Sequence, residues 1–450
     1  MVRVTDMTHG RPIRLILLFS LPLMLGSVFQ QLYTIVDTII IGRGVGMQAL
    51  ASIGAADWIN WLVLWGLQGF TQGFAILAAQ EFGAGAYDRL RRVLAMIVKL
   101  SCWFGIAVTI ISLLLVRPLL TLLHTDPAVF GGAQTYLYVQ FGGSLIIIAY
   151  NMAAAVLRCL GDSRTPLFAI IAASFANIAL DLLFVMGFGW GIFGASFATV
   201  LAQLIAFLLC LRSLWRLPFV QLTKADWKTD PAILLHLCRL GIPTGLQMSM
   251  ITLGGMVLQS VLNGFGVVFV AGYTAANKLY GILESASVAF GYAMTAYMGQ
   301  NLGARNAARI DAGIRAVLVL SAEFTAAIVT AMLVAGKPLL GLFLSTEEAG
   351  AAEALAVAYQ YLMVLMAFLF ALFMLQAYRS SLQGLGEMTV PTLSGFAEML
   401  MRMGAALVLP TFIGQSGVFF AEGAAWVCAA ALNLVWYYMR IGKIKREMLK

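Results

Sequence analysis

The chain has 450 residues, of which 61% are hydrophobic and only 11% are charged, and its net charge is +8. Soluble globular domains carry about 25% charged residues, so this composition excludes an ordinary soluble protein and favours a membrane protein. The basic residues do not cluster with aromatic residues in one domain, which argues against nucleic-acid binding. The five cysteines have neither the spacing of a disulfide framework nor that of a metal site.

Twelve apolar segments follow one another along the chain, and each is long enough to cross a bilayer, which takes about 20 residues. They cover residues 14–41, 53–79, 93–116, 133–157, 166–186, 191–214, 233–261, 268–298, 310–334, 354–378, 390–413 and 418–440. The first is too long for the apolar core of a signal peptide, so we interpret it as a retained span. The sequence therefore predicts an all-α polytopic membrane protein with twelve transmembrane helices.

The distribution of Lys and Arg predicts the orientation, because cytoplasmic loops of membrane proteins are enriched in both. With a cytoplasmic N-terminus, 22 of the 28 basic residues fall in inner segments. The outer loops hold only Arg43, Arg117 and Lys337, and three more basic residues lie inside spans. We therefore expect a multi-pass protein of the inner (plasma) membrane with both termini in the cytoplasm.

An internal repeat appears when the chain is shifted by about 220 residues against itself. The matching pairs are Pro22 and Pro243, Gly44–Ala56 and Gly264–Ala276, Gln80 and Gln300, Arg117–Leu123 and Lys337–Phe343, and, at a shift of 225, Leu160–Pro166 and Leu385–Pro391. The repeat predicts two pseudo-symmetric six-helix bundles, 1–214 and 232–450, joined by a cytoplasmic linker at 215–231. Parallel repeats of this kind are typical of transporters that bind a substrate between their halves.

Two acidic residues break the repeat. Asp37 of span 1 corresponds to Val257, and Asp181 of span 5 corresponds to Ala406. Asn177 lies four residues before Asp181 and so shares its helical face. Ionisable groups inside a span are candidates for function, and these oxygen atoms could bind a proton or Na⁺. A hydrogen bond that only holds spans 1 and 5 together is the alternative.

Other polar residues of the spans are candidates for a substrate cavity. They are Gln30 and Tyr33 of span 1, Trp65 and Gln68 of span 2, Glu284 of span 8 and Arg402 of span 11. Trp65 and Gln68 share one face of span 2, and an indole there suits a cationic ligand. Glu398 and Arg402 are four residues apart, so mutual neutralisation of the charges in this half is the alternative to substrate contact.

Enzymatic motifs are missing from the sequence. The three histidines do not have the spacing of metal ligands, and no HExxH, Walker A or GxSxG motif occurs in a supporting context. We therefore expect no enzymatic activity, no cofactor and no metal other than Na⁺ at Asp37, Asn177 and Asp181. The partners that we expect are small-molecule substrates and the lipid bilayer, and we expect the protein to act as a monomer.

The chain resembles the multidrug and toxic compound extrusion (MATE) family, in particular its DinF-like prokaryotic branch. The resemblance rests on twelve spans in two halves, Pro22 and Asp37 in span 1, the paired Gln80 and Gln300 loops, LGDSRTP from Leu160, and SFANIALD in span 5. Another branch has acidic residues in spans 7 and 10, where this chain has Gln247, Gln259, Gln376 and Arg379.

The resemblance implies a V-shaped pair of six-helix lobes that exports small organic, cationic or amphipathic compounds in exchange for Na⁺ or H⁺. It implies a cation site in the first lobe at Asp37, Asn177 and Asp181, with Asn151 and Thr199 at the positions of the remaining polar ligands. We expect span 1 to move at Pro22, because proline removes a helical hydrogen bond. A flippase for lipid-linked oligosaccharides is the alternative function, and it would be expected to line its cavity with arginines.

Overall fold

The computed structural model describes residues 4–343 and 350–448, and within them the chain is helical, without β-strands. Its α-helices are α1 (Pro12–Gly44), α2 (Met47–Gly83), α3 (Tyr87–Leu122), α4 (Pro127–Gly142), α5 (Ser144–Cys159), α6 (Arg164–Asp181), α7 (Gly191–Trp215), α8 (Pro231–Asn263), α9 (Val267–Gly303), α10 (Ala307–Gly341), α11 (Ala351–Gly384), α12 (Thr389–Ile413) and α13 (Phe420–Met448). A π-helical turn, Leu182–Gly187, extends α6, and short 3₁₀ turns lie in the linker and before α13.

Every predicted span coincides with a helix or with a pair of helices. Ten helical stretches of the described chain are long and apolar enough to cross a membrane, and α4 with α5, bent by 50°, would supply an eleventh. The remaining span is α9, which has 37 residues but is less apolar because it carries Asn277, Lys278 and Glu284. The prediction of an all-α polytopic membrane protein is confirmed.

Contacts divide the chain into two compact units. The first contains the segment up to Asp6 and Leu21–Ser249, and the second contains Met7–Ser20 and the chain from Met250 onward. Two helices therefore change unit along their length: α1 does so at Leu21, next to Pro22, and α8 at Met250. The division predicted from the sequence, with a linker at 215–231, concerns the halves of the repeat and stays a prediction.

The internal repeat is visible in the lengths of the helices and in the loop that follows α2 and α9. Both of these helices have 37 residues, and α1 and α8 both have 33. In the first unit Arg89 Nε lies 3.0 Å from Glu81 Oε1. In the second unit Arg309 Nε donates to Asn301 Oδ1 over the same distance. Both pairs are related by the shift of 220, so the loop is built alike in the two halves.

Glycines let α2 approach the first part of α8 closely within the first unit. A Cβ atom on Gly73 would lie 2.6 Å from the Cα atom of Gly241, and one on Gly69 would lie 2.7 Å from the carbonyl oxygen of Thr244. Gly245 faces the ring of Phe70 in the same way. Helices in lipid associate by close packing, which small residues four apart allow. The glycines of the segment GLQGFTQG, residues 66–73, therefore allow this close contact.

A methyl group at this crossing is expected to destabilise the protein. Gly73→Ala would force α2 and α8 apart, and overpacking of this kind costs about 1–3 kcal/mol. The measurement is the apparent Tm of detergent-purified protein, followed by fluorescence-detected size exclusion. Gly54→Ala on the same helix is the control, because no atom lies within 4 Å of a Cβ atom there. An unchanged or higher Tm for Gly73→Ala would contradict the packing.

Glu387 connects the loop between α11 and α12 to α13. Arg440 donates to its carboxylate from Nη2 over 2.9 Å and from Nε over 3.1 Å, and Trp436 Nε1 donates over 3.0 Å. Asp162 occupies the equivalent position in the first half, but it accepts hydrogen bonds from the backbone N–H groups of Arg164 and Thr165 at the start of α6. The acidic residue of this loop thus binds α13 in the second half, whereas its equivalent in the first half caps α6.

This interaction predicts a pH-dependent stability. The hydrogen bonds from Arg440, followed by that from Trp436, lower the pKa of Glu387 below its usual value of 4.5, against the opposing effect of burial. A carboxylate with a depressed pKa stabilises the fold above the unfolded-state pKa, and that contribution is lost as the pH falls through the folded-state pKa. The Tm of the Glu387→Gln variant should lie below that of the wild type at pH 7, and the two Tm values should approach each other near pH 4. A difference that grows on acidification would contradict the assignment.

Candidate functional site

The end of α6 carries the two side chains that the sequence places at a cation site. Asn177 is 1% exposed, and Asp181, one turn later, is fully buried. The helix changes at Leu182 into a π-helical turn that continues to Gly187. Such turns are rare and occur frequently at functional sites. The π-helical turn thus begins directly after the buried carboxyl group.

Asp37 of α1 meets Asp181 within the first unit. The two carboxyl groups are close enough to interact directly, although 144 positions separate them in the chain. Two ionised carboxylates in contact repel each other, and the repulsion is strong where little water screens it. The pair is therefore stable only when it shares a proton or binds a cation.

Donors are missing around this pair within the described chain. Oδ1 of Asp37, both carboxyl oxygens of Asp181 and both polar atoms of the Asn177 amide are buried without a hydrogen-bond partner. Buried polar atoms in folded proteins are almost always satisfied, by protein or by bound water. This concentration of unsatisfied oxygen atoms fits a site that a proton, water or a small cation completes.

A small cavity of about 40 Å³ adjoins the site. Its walls include four residues that the sequence proposed for cation or substrate binding: Gln30, Tyr33, Asn177 and Thr199. A buried water needs about 10–15 Å³ by the same measure, so the cavity has room for an ion or a few waters. Pockets for drug-sized ligands measure about 300–1,000 Å³, which makes this cavity too small for an organic substrate.

Several predicted residues lie elsewhere. The Nδ2 atom of Asn151 donates to the carbonyl of Ile147 in its own helix over 2.9 Å, and Asn151 does not line the cavity in the described structure. Trp65 is 48% exposed on α2. Trp65 and its neighbour Gln68 do not border this cavity in the described chain either. Pro22 lies inside α1.

Asp57 is a further acid near the site, and sequence reasoning missed it. It lies on α2, where the charge of Asp37 acts on it and its own charge acts on Tyr136. The Tyr136 hydroxyl accepts a hydrogen bond from Asn60 Nδ2 over 3.3 Å. Among the described residues no group of three or more His, Cys, Asp or Glu could hold a metal ion. The repeat counterpart of Asp57 is Asn277, and this break in the repeat could have revealed it.

The second unit holds a buried network of paired charges. Arg379 lies 2.6 Å from Glu398, and Arg402 lies 3.1 Å from Glu398 and 2.8 Å from Glu422. Arg402 Nη1 also donates to the carbonyl of Ile251 on α8 over 3.0 Å. The predicted pair of Glu398 and Arg402 is present, and it has two further partners, Arg379 and Glu422. In the described chain Glu284 has no ion pair, and its carboxyl group adjoins the hydroxyl of Tyr280.

Removing one charge from this network should be costly. Arg402→Met leaves Glu422 without its cation, and breaking a buried pair from one side costs about 3–5 kcal/mol. Thermal unfolding in detergent measures the loss, with the partly exposed Arg440→Gln as a milder control. The double variant Arg402→Met with Glu422→Gln should recover part of the stability, since it removes the unpaired carboxylate. No recovery would mean that Arg402 acts through packing and not through charge.

Comparison with known proteins decides the family. The profile of the family described as MatE matches this chain twice, over residues 22–183 and 243–408. The chain belongs to the MatE family. The two matches begin 221 positions apart and end 225 apart, which agrees with the repeat found in the sequence. Members of this MATE family are transporters, so the chain is a membrane transporter and not an enzyme, as predicted.

Full-length relatives support this assignment. "Probable multidrug resistance protein YpnP" of Bacillus subtilis is 31% identical to this MATE chain over 100% of it and 99% of the relative. A MATE crystal structure in complex with MaL6 has a TM-score of 0.91 at 24% identity and covers 99% of this chain and 100% of its own. An outward-facing multidrug resistance MATE transporter of the MOP superfamily has a TM-score of 0.90 at 24% identity and covers 99% of each chain. These structures show that the fold is that of MATE transporters.

Proposed function

We propose that the chain is a secondary active antiporter that exports small organic compounds in exchange for Na⁺ or H⁺ by alternating access. The observation that carries this proposal is the contact between Asp37 and Asp181, two carboxyl groups without a donor or a basic partner in the described structure. A pair of this kind needs a cation, and the same oxygen atoms suit a proton or Na⁺. Loading and release of that cation is the step that couples to export.

Asn177 and Thr199, from the walls of the small cavity, and Asn151, which lies outside those walls, supply the remaining ligands of the cation. Asn177 presents two unsatisfied polar atoms. Thr199 lines the same cavity, and its hydroxyl donates to the carbonyl of Ala195, which leaves its lone pairs to face an ion. The amide of Asn151 uses its donor within α5, so its oxygen would be the ligand atom.

The substrates are cationic or amphipathic organic molecules. YpnP, which aligns over the whole chain, is named "Probable multidrug resistance protein". Gln30, Tyr33, Trp65 and Gln68 contribute polar and aromatic contacts in the first half. In the second half Glu284, whose carboxyl group adjoins Tyr280, forms no ion pair among the described residues, and it meets the positive group of the substrate. Arg402 acts there by holding Glu398 and Glu422 in their paired state.

The transport cycle uses α1 as its moving part. Substrate enters from the cytoplasm, and binding of the cation at Asp37 and Asp181 then repositions α1 so that the substrate leaves on the other side. Pro22 cannot donate to the carbonyl of Leu18, so α1 is weakest there. The distribution of Lys and Arg supports a plasma-membrane protein with both termini in the cytoplasm, and we propose that it works as a monomer.

The flippase alternative lacks a supporting feature. It would be expected to line its cavity with arginine side chains, but Arg379 and Arg402 are 3% and 5% exposed and are paired with glutamates. Their charges are neutralised within the protein. Drug export is therefore the function that we propose.

Neutralising the carboxyl pair tests the proposal. Proteoliposomes loaded with a fluorescent cationic dye are given an inward Na⁺ or an inward H⁺ gradient, one at a time. The wild type should export dye under one of them, and Asp181→Asn and Asp37→Asn should each lower that rate at least tenfold, because the cation can no longer be bound and released. The gradient that drives the wild type identifies the coupling ion.

The control is Asp88→Asn, which removes an exposed acid and should transport normally. Equal amounts of folded protein in each preparation are verified by size exclusion. Wild-type transport rates in both Asp37→Asn and Asp181→Asn would overturn the site.

A further inference from the structure

An open groove runs along α11 in the second unit, between α10 and α13. Its volume is about 540 Å³. Lys337 of α10, Tyr359 and Gln360 line one end, and Val364, Ala367 and Phe368 line the rest. The side of α11 that packs on α9 is a different one, since Tyr361 stacks on Tyr273 there with ring centroids 4.4 Å apart. We call this surface the α11 groove.

The apolar end of the α11 groove is closed by a tight contact between α11 and α13. The ring of Phe368 lies against Gly423, where a Cβ atom would be only 2.3 Å away, and the rings of Phe368 and Phe420 are 6.3 Å apart in an edge-to-face arrangement. Gly423 thus lets Phe368 fill the space between the helices. The groove is therefore a built feature of the packing with a defined apolar end.

The length of the groove matches one leaflet of a membrane. The lining residues of α11 extend from Ala356 to Phe368, which corresponds to about 18 Å at the helical rise of about 1.5 Å per residue. Half of a hydrocarbon core measures about 15 Å. An extended acyl chain that starts at the membrane surface would therefore end near Phe368.

The polar end of the groove lies where the helices end. α10 ends at Gly341 and α11 begins at Ala351, so Lys337 stands about one turn from the end of its helix. Its ammonium group lies 5.0 Å from the centroid of the Tyr359 ring, and in the described chain no carboxylate lies within ion-pair distance of it. A lysine at this depth extends its charge to the headgroup region. Among the described residues it is therefore a positive charge without a carboxylate partner at the mouth of an apolar groove.

We propose that the α11 groove binds an anionic phospholipid, with one acyl chain along α11 and the phosphate of its headgroup on Lys337. Gln360 lines the same groove and offers a hydrogen bond to the headgroup. Lysine near a membrane surface attracts anionic lipid with about 1 kcal/mol, which corresponds to an affinity difference of about fivefold. Under the proposed orientation, the bound lipid belongs to the outer leaflet.

The test counts bound lipid and does not depend on transport. Delipidated full-length protein is titrated with phosphatidylglycerol or phosphatidylcholine, and each bound lipid is resolved by native mass spectrometry. The wild type should bind one phosphatidylglycerol more tightly than phosphatidylcholine. Lys337→Gln should weaken the binding of phosphatidylglycerol about fivefold and leave that of phosphatidylcholine unchanged, whereas Ala367→Trp, which fills the apolar part, should weaken both.

The repeat offers a matched control. Arg117 is the counterpart of Lys337 at the shift of 220, and it lies outside the groove, so Arg117→Gln should retain the tightly bound phosphatidylglycerol. An equal loss in Arg117→Gln and Lys337→Gln would show a non-specific effect of surface charge and overturn the proposal. Equal wild-type affinity for the two lipids, or an unchanged affinity in Lys337→Gln, would overturn it as well.

Discussion

The hydrocarbon core of a membrane supplies no water to polar groups, and this one constraint shapes the protein at every level. It forces the backbone into helices, because only then does each peptide group find its partner within the segment. It also forces buried charges to pair, as Arg379, Glu398, Arg402 and Glu422 do in the second unit. Asp37 and Asp181 meet without such partners in the described chain, and this exception to the rule coincides with the site proposed for the cation.

The two halves share a frame and differ in their chemistry. The frame includes helices of equal length and a loop in which an arginine binds back to the preceding helix, through Glu81 in one half and Asn301 in the other. The differences include single side chains, such as Asp162 and Glu387 at equivalent positions of one loop. A duplicated frame keeps the packing of the helices. Each half can then carry its own charges without a change of fold.

Hydropathy could predict the helices because their apolar length is set by the bilayer, and the repeat could point to Asp37 and Asp181 because a charge present in only one half demands a reason. The bend between α4 and α5 and the π-helical turn after Asp181 could not be predicted, since both depend on packing between helices. Glu422 was missed for a similar reason. It lies near the start of the last span, and only the rotation of α13 about its axis decides whether it faces solvent or Arg402.

The constraint on polar groups also relates the proposed cation site to motion. Asp37 and Pro22 lie on one helix, 15 residues apart, which is about 22 Å at the rise of an α-helix. The part of α1 before Leu21 belongs to the second unit and the part from Leu21 onward belongs to the first. A change of direction at Pro22 therefore alters the position of the later part while the earlier part stays packed. A cation that neutralises Asp37 and Asp181 removes their repulsion and favours the approach of α1 to α6. The binding energy of one ion would then act on the part of α1 that follows Pro22, and the proline would confine the movement to that part.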